Sequence, residues 1–298
     1  MQQDYFGFLK YSDTIMFNDG EVSVKEDYKE AYQWIEQYLN QDGFIYPPES
    51  CKVKLEPVTL KKIQEIPNTK KTALLYKLPA SHKIILYNPT SNNIKESDAA
   101  FIIHLISYLF GTRLQFEEWW FDGRVPITPT VNFGFSHETL EHFISHSYDK
   151  WKGFDSKQKK LMTNVLVMFS RAPSYNWDWE QFIIEYMVFD GIYKIAATLF
   201  KLKDKVSHSD RFGCLCELFN LKRDNEKINE IYKMRNELFH TTLWDDKQPC
   251  SSTGKAFKMP FLLRKFNTRL IPALLGYNNK FVKTDWWIMG RHRFDKLN

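Results

Sequence analysis

Cysteine is scarce: four residues in 298 (Cys51, Cys214, Cys216 and Cys250), with no C-x-x-C pair. That excludes a disulfide scaffold or a cysteine-based zinc or redox motif as the organising chemistry and points to a reduced chain. Cys214 and Cys216 stand two apart on what reads as a helix, which turns them to different faces. Long apolar runs are missing as well. The longest, Ala99 to Gly111, is too short to cross a bilayer and contains His104. The N-terminal MQQDYFGF has no basic stretch leading into an apolar core, so no secretory signal is read there. A cytoplasmic location without membrane contact is the expectation. Neither a glycine-rich phosphate loop nor a G-x-S-x-G elbow occurs, which removes P-loop enzymes, kinases and α/β-hydrolases. Internal repeats and long low-complexity segments are also missing.

What is present is apolar and aromatic. Hydrophobic residues make up 43%, with 24 Phe, 15 Tyr and 9 Trp, enough for a substantial core. The net charge of +5 is unevenly spread. Residues 1–135 hold 14 Lys+Arg against 17 Asp+Glu, and residues 136–298 hold 27 against 19. A basic second half fits a polyanionic partner; a solvated lysine-rich surface fits the same numbers equally well.

Local patterns divide the chain near the same place. Phe6–Leu9, Thr14–Phe17, Val22–Val24, Thr72–Tyr76 and Lys83–Tyr87 read as strands, with a turn at Asn18-Asp19-Gly20. Helical spacing covers Glu26–Leu39 and Asp98–Phe110, the latter capped by Ser97. Glu117–Pro126 reads as a loop or strand edge. The breakers Pro126-Ile127-Thr128-Pro129-Thr130 mark the boundary. Beyond it the spacing predicts helices over 137–151, 156–170, 178–202, 208–220, 225–240 and 260–271. Ser136, Asp155 and Ser207 suit N-caps, with Asp210 completing a box, and Pro272 should end the last helix. Pro173, Gly191, Gly213, Pro249, Gly254 and Gly276 punctuate the rest. The expected fold is α+β: a mixed α/β N-terminal domain (1–135), with a sensor or regulatory role as its expectation, followed by an all-α helical bundle (136–298).

The segment 225–240 carries the chemistry. Ile228, Ile231, Tyr232 and Phe239 form an apolar stripe, and Arg235 falls in its middle. A guanidinium there is costly unless paired or turned to a wet cleft. Asn236 and His240 share a helix face, while His240 lies about 140° from Arg235 on an ideal helix. A frayed end or a second copy would bring the three together. Arginine, asparagine and histidine on one patch are what metal-free RNA cleavage needs: a proton shuttle near neutrality and a fixed charge that forks onto phosphate. Arg-x4-His is weak by itself in a chain with 10 Arg and 8 His. The structural alternative pairs Arg235 with a carboxylate and leaves His240 as a favourable cation at a helix C-terminus.

Met234-Arg235-Asn236-Glu237-Leu238-Phe239-His240 resembles the R-x4-6-H signature of HEPN domains, and the segment around it, roughly residues 155–280, resembles the Apea-like HEPN group. A helix with an acidic residue in an apolar run (Tyr186–Tyr193) precedes the motif, and a helix over Leu262–Ile271 follows it. The resemblance implies an HEPN-like bundle and a two-fold homodimer with a composite active site. It also implies a metal-independent endoribonuclease, needing no cofactor, used in toxin or antiviral defence. On it, Arg235 and His240 are catalytic, Asn236 assists, and Asp190 is a supporting acid, with burial against Arg235 as its expected place. RNA is the implied partner, with an antitoxin or a phage-derived trigger beside it. Some members only bind RNA or nucleotides or mediate assembly, which is the alternative function.

Other clusters compete. His142 and His146 share a helix face near His137 and Glu138, but H-E-x-x-H is not formed and no third ligand is evident, so polar or solvated histidines are expected rather than a metal site. Trp119-Trp120 beside Arg124 reads either as a stacking platform for bases or as a clamp between domains, the clamp being favoured. Trp286-Trp287 with Arg291 and Arg293 has the same two readings. Lys157-Lys159-Lys160 and Lys201-Lys203-Lys205 read as solvated helix surface.

Overall fold

The computed structural model describes residues 1–49, 52–56, 59, 62–66, 71–128, 133–202, 206–249, 256–288 and 292–297. Cys51, Cys250, Pro129, Thr130, Lys203, Lys205, Gly254 and Arg291 lie outside the described residues. The elements run β1 (Gln2–Gly7), β2 (Ile15–Phe17), β3 (Gly20–Val24), α1 (Tyr28–Tyr38), β4 (Phe44–Ile45), β5 (Lys52–Leu55), β6 (Lys62–Ile66), β7 (Leu75–Tyr76), β8 (His82–Leu86), α2 (Asp98–Phe110), β9 (Gln115–Phe116), β10 (Phe121–Asp122), β11 (Val125–Pro126) and β12 (Phe133–Gly134). Then come α3 (His137–Lys152), α4 (Ser156–Arg171), α5 (Asp178–Leu199), α6 (His208–Phe219), α7 (Asn225–Thr241), α8 (Met259–Leu274) and β13 (His292–Arg293). The fold is α+β.

The main sheet is antiparallel, in the order β2-β3-β8-β1-β9. Its hairpin pairs Phe17 with Gly20, so Asn18-Asp19 is a two-residue turn, and Asp19 takes the left-handed φ of 65° that such turns demand. Alternate residues of the strands, among them Phe6, Val22 and Ile84, face a core. Helix α2 fills that core: every residue from Asp98 to Leu109 is buried. Its one carboxylate is fully satisfied, accepting from Thr90 N–H at 3.0 Å, Thr90 Oγ1 at 2.9 Å and Tyr148 Oη at 2.6 Å. One buried cluster runs from the sheet through α2 to α3–α8. A smaller one gathers α1 with Phe8, Ile45, Tyr76, Phe121 and Val125.

The caps act largely as expected. The Ser136 hydroxyl accepts from Thr139 N–H, Asp155 and Gln158 form a reciprocal box, and the Ser207 hydroxyl accepts from Asp210 N–H. The Asp210 carboxylate takes the Ser207 hydroxyl itself, so that box is not reciprocal. Ser97 does not cap α2; its hydroxyl donates back to Asn93 O. Gly191 and Gly213 lie inside α5 and α6. A Cβ on Gly191 would come within 2.8 Å of Val165 Cγ2, so the glycine lets α4 and α5 approach. Pro272 sits within α8 instead of ending it. Proline cannot donate to the carbonyl four residues back, and that carbonyl, Thr268 O, accepts from Tyr108 Oη at 2.6 Å.

The two halves are joined by polar pins. Arg124 donates to the carbonyls of Pro173 and Tyr175, and Asp122 takes both Arg113 and Arg171. Among the described residues, no helix is long and apolar enough to cross a membrane.

Candidate active site

Helix α7 begins where the Asp224 carboxylate accepts from Lys227 N–H at 3.0 Å, and it ends at Thr242, whose φ of 57° is left-handed. Its buried positions are Ile228, Ile231, Met234 and Leu238. The stripe is therefore turned from the one read in the sequence, because α7 packs on α6 and α8 along that line. Phe239 is 48% exposed and Tyr232 half-buried. Arg235 lies on the border of the stripe rather than at its middle and is half-buried.

Arg235, Asn236 and His240 do converge within one chain. Arg235 Nη1 donates to Asn236 Oδ1 at 3.0 Å and meets His240 Nε2 at 3.2 Å. Neither a frayed end nor a second copy is required, because the arginine side chain spans the angular gap between the two positions. Arginine has only donors, so Nε2 must present its lone pair, and the histidine proton in this contact sits on Nδ1. The guanidinium also lies over the rings of Phe239 (5.0 Å) and Tyr186 (5.8 Å). Its Nε is buried without a hydrogen-bond partner. Among the described residues, no carboxylate pairs with Arg235; Glu237 of the same helix turns to Lys233.

Asp190 is not a buried partner of Arg235. It is half-exposed and holds Arg211 Nη1 at 2.7 Å, with His208 Nδ1 at 3.6 Å. The buried acid of α5 is Glu185, five residues earlier and 1% exposed. It accepts from Arg264 Nη1 at 2.6 Å and from Asn267 Nδ2 at 2.8 Å. Periodicity alone could not choose between the two acids, since which face of α5 meets α8 is a tertiary fact.

Three residues missed in the sequence complete the surroundings: Tyr186, His208 and Arg211. Buried Tyr186 meets His208 Nδ1 through its hydroxyl at 3.2 Å, and burial pushes its phenol far up. Burial holds His208 below the usual imidazole range; Asp190 pulls the other way, and Arg211 and Arg235 add to the lowering. Arg211 stacks over Tyr193 at 5.0 Å. One signal was legible: between residues 155 and 280 the only histidines are His208 and His240.

The rival clusters resolve differently. His137 is held by Tyr11 Oη and Glu141, His142 meets Tyr277 Oη at 3.0 Å, and His146 packs edge-on to Tyr277. Among the described residues, no three His, Cys, Asp or Glu side chains gather as a metal set. Trp286 is buried and donates to Lys222 O, a core role, and Arg293 pairs with Asp295. Trp119 and Trp120 stand at the surface, 36% and 54% exposed, with Lys77 over the Trp120 ring. Lys157 and Lys160 are exposed and Lys159 lies over Trp151. Cys216 is buried and Cys214 partly so, as two faces of one helix require. No family model, curated protein or solved structure matches the chain.

Proposed function

We propose that this protein is a metal-independent endoribonuclease of the HEPN type, cutting RNA by attack of a ribose 2′-OH on the neighbouring phosphate. The observation that carries it is the meeting of Arg235, Asn236 and His240 on one solvent-facing patch. Arg235 is half-freed: one guanidinium nitrogen serves neutral side chains only, and no carboxylate competes for it among the described residues. An incoming phosphate offers it charge-assisted bonds roughly twice as strong as these neutral ones. As Arg235 turns onto the phosphate, the Nε2 lone pair of His240 becomes available to take the 2′-OH proton. The guanidinium then faces the charge that grows on the phosphoryl oxygens, and Asn236 orients it. Exposed Phe239 offers a face on which a flanking base can stack. The products are a 2′,3′-cyclic phosphate and a 5′-hydroxyl.

The wider setting belongs to the same proposal. It comprises a cytoplasmic antiviral or toxin role, a homodimer with a composite site, an antitoxin or phage-derived trigger, and residues 1–135 as a sensor. Incubating wild type and His240→Ala with total RNA in EDTA tests the enzymatic core. Cutting by the wild type and its loss in the variant is the expected result; undiminished cutting by the variant removes His240 from catalysis.

One observation favours a second reading, a non-catalytic module that binds RNA or nucleotides. Nε2 of His240 is engaged by Arg235 rather than open. Binding without turnover, with equal affinity for wild type and His240→Ala, is the outcome that would select it.

A further inference from the structure

A cavity of about 340 Å³ opens at the seam between the two halves, and none of Arg235, Asn236 and His240 lines it. Its walls come from β4, the residue before β11, α5 and the start of α8. That volume is at the small end of the range for small-molecule sites. Phe257 and Phe261 line it and are 57% and 40% exposed, so a flat ring laid on them removes apolar surface from water. Arg124 comes from the other half. It donates to Pro173 O at 3.2 Å, Tyr175 O at 2.7 Å and Tyr46 Oη at 3.4 Å, and its guanidinium carbon lies 4.3 Å from the Phe44 ring centre. A guanidinium has five N–H donors, so two are left over. Its three acceptors are neutral, and among the described residues no carboxylate pairs with it. The two acids in the wall are engaged elsewhere. Glu185 takes Arg264 and Asn267. Asp178 takes Trp179 N–H and Trp244 Nε1 in the first turn of α5, where the helix dipole offsets its charge. Two amides remain. Gln181 Nε2 donates to Tyr175 O at 2.9 Å, which leaves Oε1, and the Asn176 side chain has no partner among the described residues.

We propose that this cavity binds a nucleotide, at a site separate from the Arg235–His240 patch and independent of the ribonuclease reading. A ligand that uses every open group must carry a flat ring, an anionic group and donors or acceptors on the ring edge. A nucleotide has all three, either free or as one unit of a strand. Its base covers Phe257 and Phe261, its phosphate takes the spare donors of Arg124, and Asn176 and Gln181 meet the base edge. Stacking on phenylalanine accepts any base, so preference among bases falls to the two amides. The phosphate offers Arg124 the charge partner that its present acceptors do not. Arg124 belongs to the first half of the chain and the two phenylalanines to the second, so the ligand touches both sides of the seam. Its binding therefore stabilises the docked arrangement of the halves and raises the melting temperature.

The test is calorimetric titration of the full chain, in EDTA, with AMP, GMP, CMP and UMP and with the four matching nucleosides. At least one monophosphate should bind, and its nucleoside should bind about tenfold more weakly or worse. Phe257→Ala, a change at an exposed ring, should weaken that monophosphate by about tenfold. Arg124→Gln, checked for native circular dichroism, should bind the monophosphate and its nucleoside alike, a loss confined to the phosphate that general damage to the site would not produce. His240→Ala should bind as the wild type does. A hexanucleotide RNA added to the His240→Ala complex then identifies the source: displacement of the monophosphate assigns the site to a unit of a strand, and no displacement assigns it to the free nucleotide. If none of the four monophosphates binds the folded wild type at millimolar concentration, the proposal is overturned. Binding that is unchanged in both Phe257→Ala and Arg124→Gln overturns it as well, since the ligand then sits elsewhere. A wild type that binds nucleotide here but cuts no RNA fails the ribonuclease reading alone.

Discussion

Two acids of helix α5, Glu185 and Asp190, meet opposite fates. Glu185 is sealed between α5 and α8, with Arg264 and Asn267 satisfying its oxygens. Asp190 stands at the surface with Arg211, within reach of His208. A buried pair whose carboxylate is satisfied fixes helix packing but cannot exchange those partners without leaving a bare charge behind. A half-exposed cluster contributes little to stability and can trade its partners for a ligand. Histidines divide in the same way. His82 and His104 are buried, and burial depresses each to a pKa of about 4. His208 and His240 reach solvent. The sealed Glu185 pair ties α5 to α8, and the open groups stand on the helices that this packing positions.

Four substitutions or titrations probe this contrast. The largest effect should come from Arg235→Lys, which keeps the charge but loses the fork that spans Asn236 and His240. RNA cleavage should fall by about 10²–10³-fold with the melting temperature unchanged; a wild-type rate would show that charge alone suffices. Glu185→Ala should destabilise the fold by about 3–5 kcal/mol in urea titration, because Arg264 stays buried without its carboxylate. A loss below about 1 kcal/mol would place that pair with the surface ones.

The third probe is pH. A histidine whose folded pKa lies below its unfolded value favours the unfolded state as acid is added. His82 and His104 should therefore leave stability intact above about pH 6.5 and reduce it between there and about pH 4. The slope should be roughly 1.4 kcal/mol per pH unit for each. His104→Leu should halve that slope in urea titrations at several pH values. The smallest effect belongs to Asp190→Asn, which should change stability by less than about 1 kcal/mol in urea titration. A large loss of stability would move Asp190 to the structural side of the comparison.

Local signals made much of the fold legible. Ser136, Asp155 and Ser207 placed three helix starts because an N-cap satisfies backbone donors that nothing nearby can reach. The end of α8 was misjudged because Tyr108, 164 positions before Pro272, supplies the bond that rescues the proline-broken turn. The motif residues could be named because they share one helix. Tyr186, His208 and Arg211 could not, since they come from two other helices, and only the packing of α5, α6 and α7 brings Tyr186 to Arg235 and the other two to Tyr186 and Asp190. Naming Asp190 as the buried acid failed for the same reason, with Glu185 overlooked. Both sit in an apolar run, and only the packing of α8 decides which is covered.

As proposed, Arg235 and His240 together position and deprotonate a ribose beside its phosphate, a role open to direct test. It is tested most directly by the chemistry of the cut ends, with purified wild type and His240→Ala incubated with RNA in EDTA. The account predicts 2′,3′-cyclic phosphate and 5′-hydroxyl ends from the wild type and none above background from the variant. Ends bearing 5′-phosphate, or the same cyclic ends at the same rate from His240→Ala, would contradict it.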